Sequence, residues 1–260
     1  MKILAINGSY RMNGNTARMI QLVAARMDEI ASQKGEVLEF EIVHLGHQNI
    51  GFCRGCRICF NKGENKCPNQ DDLLSIYEKM QLADGLILAS PVYVNDVSGI
   101  IKNWIDRMAF VCHRPAFAGK RAWILTTVGL GPTRHAERTL YDALTTWGFS
   151  IVGRNGFKMG ALMPKAKAEM LFRDRAEKIA VKFYQALHKP VVPSFISLMT
   201  FRIQQGYWWH QPDGESIDYQ FWQSQGWTQP GRDFYISHQA SDRKVTLARL
   251  VGSILAPFVT

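Results

Sequence analysis

Apolar and polar positions fall into blocks from the first residue onward, and the period of those blocks switches repeatedly between that of a strand and that of a helix. Lys2 to Asn7 is a short apolar run that predicts a buried strand, and Asn15 to Ile30 repeats apolar residues at helical spacing. Val37 to Leu45 alternates as a strand does, a helix is predicted over Asp71 to Leu82, and Gly85 to Ser90 is again a short apolar strand. The pattern continues as helix over Val97 to Phe110, strand over Ala122 to Thr127, helix over His135 to Trp147, strand over Ser150 to Met159, and a long helix over Lys165 to Leu187. Five strands, each followed by a helix, imply an α/β fold. Its sheet is parallel and covered on both faces, because every crossover returns over the sheet with a right-handed sense.

The alternation ends at Lys189, where Pro190 and Pro193 bracket a break. Residues 1–189 are therefore expected to form the main domain and residues 190–260 an extension. Tyr207, Trp208, Trp209, Tyr219, Phe221, Trp222, Trp227, Phe234 and Tyr235 crowd the extension among Gly, Gln and Asp. Aromatic surface at that density is costly to leave in water, so the extension is expected to pack on the main domain or on a second subunit. Stacking on nucleic acid and a foothold on a membrane surface are the competing uses. Val245 to Val259 predicts a short amphipathic helix docking on the body or a partner.

Size and charge narrow the partners. With 260 residues and 47% hydrophobic composition, the chain can bury one large α/β core and a smaller appendage. No uncharged apolar run reaches the roughly 18 residues that a membrane span needs. The nearest, Val191 to Phe201, stops at Arg202, and the N-terminus opens on a strand rather than a signal peptide, so a cytoplasmic protein is expected. The net charge is +9, yet beyond Lys189 five basic residues are matched by Asp213, Glu215, Asp218, Asp233 and Asp242. The excess therefore lies in the first 189 residues, scattered over helices without a nucleic-acid-binding signature. No nucleic-acid partner is expected, only some attraction for anionic cofactors or acidic redox proteins.

Three loops carry candidate chemistry. The first predicted strand runs into Asn7-Gly8-Ser9-Tyr10-Arg11-Met12-Asn13-Gly14-Asn15-Thr16 and then a helix. Backbone N–H groups and the helix dipole make such a junction an anion site, with Ser9, Asn15 and Thr16 adding donors and Arg11 a charge. It matches neither the dinucleotide fingerprint nor the P-loop, and a monophosphate suits it better. Ser90-Pro91-Val92-Tyr93-Val94-Asn95 and Thr126-Thr127-Val128-Gly129-Leu130-Gly131 should open at the same sheet edge, where open α/β folds bind ligands. Tyr93 offers an aromatic face, Asn95 an amide, and Gly129 close approach to a flat ring.

Four of the five cysteines fall within the span from Cys53 to Cys67, spaced C-x2-C-x2-C-x7-C. Three thiolates two residues apart can wrap a compact iron–sulfur group, and the fourth closes it; Pro68 follows Cys67 as a proline follows the last cysteine of bacterial ferredoxin runs. Structural zinc usually takes two C-x2-C pairs a dozen or more residues apart. Disulfides fit poorly with an odd number of cysteines and no secretory leader. Zinc, disulfides and plain thiols stay as alternatives.

Together the G-S-x-R-x-x-G-N-T loop of Gly8 to Thr16, the S-P-V-Y loop followed by Lys102 and Asp106-Arg107, and the cysteine run followed by Asp71-Asp72 resemble the iron-sulfur flavoproteins. These are a branch of the NAD(P)H-dependent FMN reductase-like group, and the resemblance covers about residues 1 to 187. It implies a flavodoxin-like, doubly wound, five-stranded parallel sheet of order 2-1-3-4-5. It further implies that Ser9, Arg11, Asn13, Asn15 and Thr16 hold the phosphate of FMN, that Pro91, Val92, Tyr93 and Asn95 frame the isoalloxazine, and that Thr127 and Gly129 contribute from the third loop. Cys53, Cys56, Cys59 and Cys67 would bind a 4Fe-4S cluster. The chain would then pass electrons from NAD(P)H or a ferredoxin to a small acceptor, as a homodimer or homotetramer. The competing functions are a cluster-free NAD(P)H-dependent FMN or quinone reductase, a non-enzymatic electron carrier, and a redox sensor. No acid–base or nucleophilic residue is required; His135 is expected to be a solvated helix-start residue and Cys112 a core thiol.

Overall fold

Ile3, Leu4, Ala5 and Ile6 are fully buried in β1 (Lys2–Asn7), which explains why this run shows no polar alternation. A parallel strand covered on both faces reads as continuously apolar. The computed structural model describes residues 1–160, 163–210 and 216–258; Asp213, Glu215 and Val259, named in the sequence readings, lie outside the described residues. After β1 come α1 (Asn15–Gln33), β2 (Glu39–His44), a four-residue α2 (Ile58–Asn61), α3 (Leu73–Leu82), β3 (Gly85–Tyr93), β4 (Asp96–Val97) and α4 (Gly99–Arg107). The chain continues through β5 (Arg121–Val128), α5 (Arg134–Thr146), β6 (Ser150–Lys158), α6 (Lys165–Leu187), α7 (Phe195–His210), α8 (Ile217–Ser224) and α9 (Asp242–Leu255).

The five long strands are parallel in the order β2-β1-β3-β5-β6, the flavodoxin-like order expected, and β4 adds a short antiparallel partner to β3. Successive side chains of a strand face opposite ways. Leu4, Ile6, Leu86, Leu88 and Ile124 accordingly pack with Leu73, Trp104 and Leu140 of α3, α4 and α5. Ile3, Ala5, Ile87 and Leu125 pack with Met19, Val23, Ala176 and Phe183 of α1 and α6. Both faces are thus filled, and the loops after β1, β3 and β5 emerge side by side at one edge.

Two local details differ from the sequence expectation. The strand expected to end at Ser90 runs on to Tyr93, because β4 pairs with its last two residues, Val92 with Val97 and Tyr93 with Asp96. The helix expected from Val97 accordingly starts at Gly99. Between the paired residues Val94 and Asn95 form a two-residue hairpin turn with φ of 49° and 66°. That region suits Asn or Gly at such turns, whereas Val94 is β-branched and 99% exposed, so no packing within the chain repays its strain.

Residues 195 onward are more helical than their aromatic composition implied. Leu198, Phe201, Trp208, Trp222, Trp227, Phe234, Tyr235 and Ala248 form a buried cluster of their own. It is tied to the main body: Arg121 Nη2 donates to Lys189 O at 3.0 Å and Pro190 O at 2.7 Å, and Gln204 Nε2 to Cys112 O at 3.3 Å. Among the described residues no helix is long and apolar enough to cross a membrane. Val94→Asn is expected to raise stability by about 1 kcal/mol by removing the left-handed strain. A higher urea midpoint with an unchanged slope would show it; an unchanged midpoint would refute it.

Candidate functional site

The N-terminus of α1 has a glycine cap, Gly14, with no side chain bonded to its first-turn N–H groups and no acidic residue in that turn. Those donors and the dipole are left facing the loop in front of them. The loop is held in shape from behind. Gly14 N–H closes onto Arg11 O at 3.1 Å, Arg11 N–H donates to Ser9 Oγ at 3.1 Å, and Gly8 N–H donates to Ala89 O at 2.8 Å. Ser98 Oγ donates to Gly8 O at 2.7 Å, and a side chain at Gly8 would collide with Ile101, so only glycine lets α4 come this close.

The three loops meet around one cavity of about 690 Å³. Ser9, Arg11, Asn13, Asn15 and Thr16 line it from the first loop, Pro91, Val92 and Tyr93 from the end of β3, and Thr127 and Gly129 from the end of β5. Thr16 and Thr127 hydroxyls are 2.7 Å apart, a buried bond that locks the first loop to the third. Tyr93 is 56% exposed, its ring available to a flat partner. Asn95 is not part of the lining: it lies at the tip of the hairpin, beside Gly131. Arg18, Gly160 and Met163 line the cavity without having been singled out in the sequence. Arg18 follows Asn15 by one helical turn, a spacing that signals it. Gly160 arrives only because its N–H donates to Gly129 O at 3.1 Å, which no local pattern reveals. The lining carries two guanidiniums and no carboxylate.

His135 stays outside, 71% exposed in its side chain, with Nε2 3.3 Å from Asp96 Oδ2. Cys112 packs against the core, where burial pushes its thiol up.

The cysteine loop is organised by α4. Arg107, 4% exposed, donates Nη1 to Asp71 Oδ2 at 2.6 Å and Nη2 to Asp71 Oδ1 at 3.1 Å. The same guanidinium reaches Gly51 O at 2.8 Å and Cys67 Sγ at 3.7 Å. Asp71 Oδ2 accepts from Gly51 N–H at 2.9 Å and Asp72 Oδ2 from Asn49 N–H at 2.7 Å, which closes the base of the loop. Asn103 Oδ1 accepts from Cys53 N–H at 3.2 Å. Left-handed backbone at Gly55 and Arg57 curls the chain between the first cysteines. All four cysteines line one cavity of about 160 Å³ walled by Phe60, Pro68, Leu73 and Phe110. No disulfide joins any of the five cysteines. Burial pushes the Cys59 thiol up, and Cys67 and Cys53 push it further, so these groups feel one another. Among the described residues no three His, Cys, Asp or Glu side chains converge on a point that a single ion would fill.

A family model described as NADPH-dependent FMN reductase matches residues 1–161, well over half of the chain. The chain belongs to this family. An iron-sulfur flavoprotein of Archaeoglobus fulgidus is 35% identical over 154 residues, 59% of this chain and 66% of the relative. An iron-sulfur flavoprotein of Methanosarcina thermophila is 28% identical over 192 residues, 72% of this chain and 95% of the relative. The chain spans 66%, 48% and 51% of the length of the first three curated relatives it matches. An oxidoreductase structure from Corynebacterium diphtheriae superposes with a TM-score of 0.52 at 16% identity, covering 72% of this chain and 97% of that one, and it speaks for the fold alone.

In this FMN reductase family member the donor set fits a flavin phosphate: the uncapped N-terminus of α1, hydroxyls and two arginines line one cavity that carries no carboxylate. The cysteine cavity fits an anionic group, because Arg107 aims an N–H at Cys67 and its Nε is buried without a partner. Burial alone would raise the Asp71 carboxyl, but Arg107 and the Gly51 and Leu73 amides outweigh it and hold the group below its usual range. Such a group contributes stability above its unfolded pKa and loses it as the pH falls through the lower folded value. The wild-type chain should therefore lose stability on acidification below about pH 4. Asp71→Asn should be less stable at neutral pH by about 3 kcal/mol, because a buried guanidinium loses its counter-charge, and should show a flatter acid slope. Urea unfolding across the pH range checks both; equal slopes would refute the assignment.

Proposed function

We propose that this chain is an FMN-dependent oxidoreductase that takes electrons from NAD(P)H or a ferredoxin and delivers them to a small acceptor, with a 4Fe-4S cluster on Cys53, Cys56, Cys59 and Cys67 as the second redox centre. One observation carries the reading: α4 touches both sites. Its cap Ser98 holds the first loop and its last residue Arg107 holds Cys67, and nine residues of helix place those anchors about 14 Å apart. When bound, FMN accepts a hydride and releases its electrons singly, while a cluster transfers one electron at a time.

The chain's own residues position and tune. The α1 N-terminus with Ser9, Arg11, Asn13, Asn15 and Thr16 takes the phosphate dianion, and Arg18 adds a second positive charge at the wall. The Thr16–Thr127 bond sets the spacing between the phosphate loop and the third loop, where Gly129 lets backbone approach a ring. Pro91, Val92 and Tyr93 supply one edge of the ring site. Asn95, at the hairpin tip, is placed to reach a ligand or partner lying over that edge. Four thiols lining one cavity at C-x2-C-x2-C-x7-C spacing support a polynuclear cluster over a single zinc, which usually takes two well-separated C-x2-C pairs. Arg107 offsets negative charge at Cys67. Residues 190–260 are read as an extension of a main domain spanning 1–189. Tyr10, Val94 and Leu130, next to the pocket lining, are 68%, 99% and 93% exposed, an apolar rim that supports a homodimer or homotetramer. Cysteines that form no disulfide fit a reducing cytoplasm.

Anaerobically purified protein is expected to show flavin bands plus broad thiolate-to-iron absorption, with about four iron and four sulfide per chain. Flavin bands without iron or sulfide would overturn the cluster and leave a cluster-free reductase. Turnover of NAD(P)H with a quinone separates an enzyme from a carrier, which needs its protein donor. Cys56→Ala should lose iron and keep FMN. Arg11→Ala should keep iron and raise the FMN Kd at least about tenfold, the worth of one charge-assisted bond. An unchanged Kd would remove Arg11 from the phosphate site.

A further inference from the structure

Asp218 lies on α8, far along the chain from the cysteines, yet it is 5% exposed and faces the cysteine loop. Its partner is Arg114, 4% exposed, whose Nη1 donates to Asp218 Oδ1. Nη2 of the same guanidinium donates to Cys59 O at 3.0 Å and to Glu64 Oε2 at 2.9 Å. One planar fork thus joins the extension to the carbonyl of the third cysteine and to the turn that leads to the fourth. The second Asp218 oxygen is 2.7 Å from His113 Nδ1, and Trp222 Nε1 donates to His113 O at 2.8 Å. The His113 ring packs on Phe60, next to Cys59, with centroids 4.7 Å apart. Ile217 Cδ1 lies 3.8 Å from the space beside Gly63.

The cysteine loop has little of its own to hold it. Its helix α2 has four residues, too few to persist alone, Phe52 is 82% exposed, and Cys53 and Cys56 are exposed. Its order comes from outside, from Arg107 on one side and Arg114 on the other. Arg107 belongs to the main body together with its partner Asp71. Arg114 instead takes one of its two carboxylate partners from the extension.

We propose that the extension braces the cysteine site, with Asp218 acting through Arg114 as a positioning residue for Cys59 and the 59–64 turn. This rests on the reading that the four cysteines hold a cluster. The FMN reductase family model matches residues 1–161, so Asp218 lies beyond the part of the chain that the family model covers. Its effect should therefore be on how firmly the site is held rather than on whether it forms at all.

Two measurements on the full chain test it. Hydrogen exchange of residues 53–67 in metal-free protein should quicken about tenfold in Asp218→Asn, because a buried guanidinium loses a charged partner. Iron release from loaded protein to a chelator should quicken by a similar factor, with FMN content and the circular dichroism of the main body unchanged. Wild-type rates in both measurements would overturn the proposal. Should Asp218→Asn not fold, Arg114→Lys keeps the charge but cannot hold Asp218, Glu64 and Cys59 O at once, and the same outcomes decide. If the wild-type chain takes up no iron, the cluster reading fails, while exchange in the metal-free chain still decides whether Asp218 orders the loop.

Discussion

A parallel strand buried on both faces survives only while helices cover both sides, because neither its backbone nor its apolar side chains can fall back on water. β1, β3 and β5 are in that position, and most of the architecture follows from it. The crossovers must return over the sheet, so α1 and α6 cover one face and α3, α4 and α5 the other. The same handedness sends the loops after these three strands to one edge. The glycine-capped first loop (residues 9–16), an aromatic edge (91–93) and a glycine-bearing loop (127–129), far apart in sequence, become walls of one cavity. The Thr16–Thr127 hydroxyl pair joins residues 111 apart and shows how tightly that edge is drawn together.

The cysteine loop obeys a different constraint. It lacks a hydrophobic core, so its shape is set by two buried guanidiniums, and a buried guanidinium must be paired. Arg107 is satisfied by a bidentate carboxylate from Asp71 at the loop's own base. Arg114 draws on Glu64 within the loop and Asp218 beyond it. Positive charge thus flanks the cysteine site, and α4 carries one of those charges while its other end holds the loop after β1. Both sites are thereby anchored to one rigid helix, the feature on which the proposed electron transfer rests.

Local signals reach as far as local physics reaches. The alternation of strand and helix was legible because burial on one or both faces imposes a period on neighbouring residues, and α6 runs over the predicted Lys165 to Leu187 because Pro164 and Pro190 punctuate it. α7 was not legible: apolar residues occur almost all round Phe195–His210, so no amphipathic stripe separates it from an aromatic loop. The β3–β4 hairpin was hidden because Val94-Asn95 is not the Asn-Gly pair that such a turn favours. Ten of the eleven residues singled out for the flavin line one cavity, since that motif is contiguous in three short loops, whereas Gly160 joins them only through a backbone bond to Gly129.

The sequence by itself determined the five-fold alternation, the strand–loop–helix junction after β1 and the close spacing of four cysteines, all of them properties of residues within a few positions of one another. Only the tertiary structure decided which charges meet. Arg107 and Asp71 are 36 residues apart, and Arg114 and Asp218 are 104 apart. A buried ion pair carries no period and no preferred spacing, because it depends on which two surfaces close over it. For that reason the aromatic extension looked in the sequence like generic packing, and the fold instead sets one of its carboxylates against the cysteine loop.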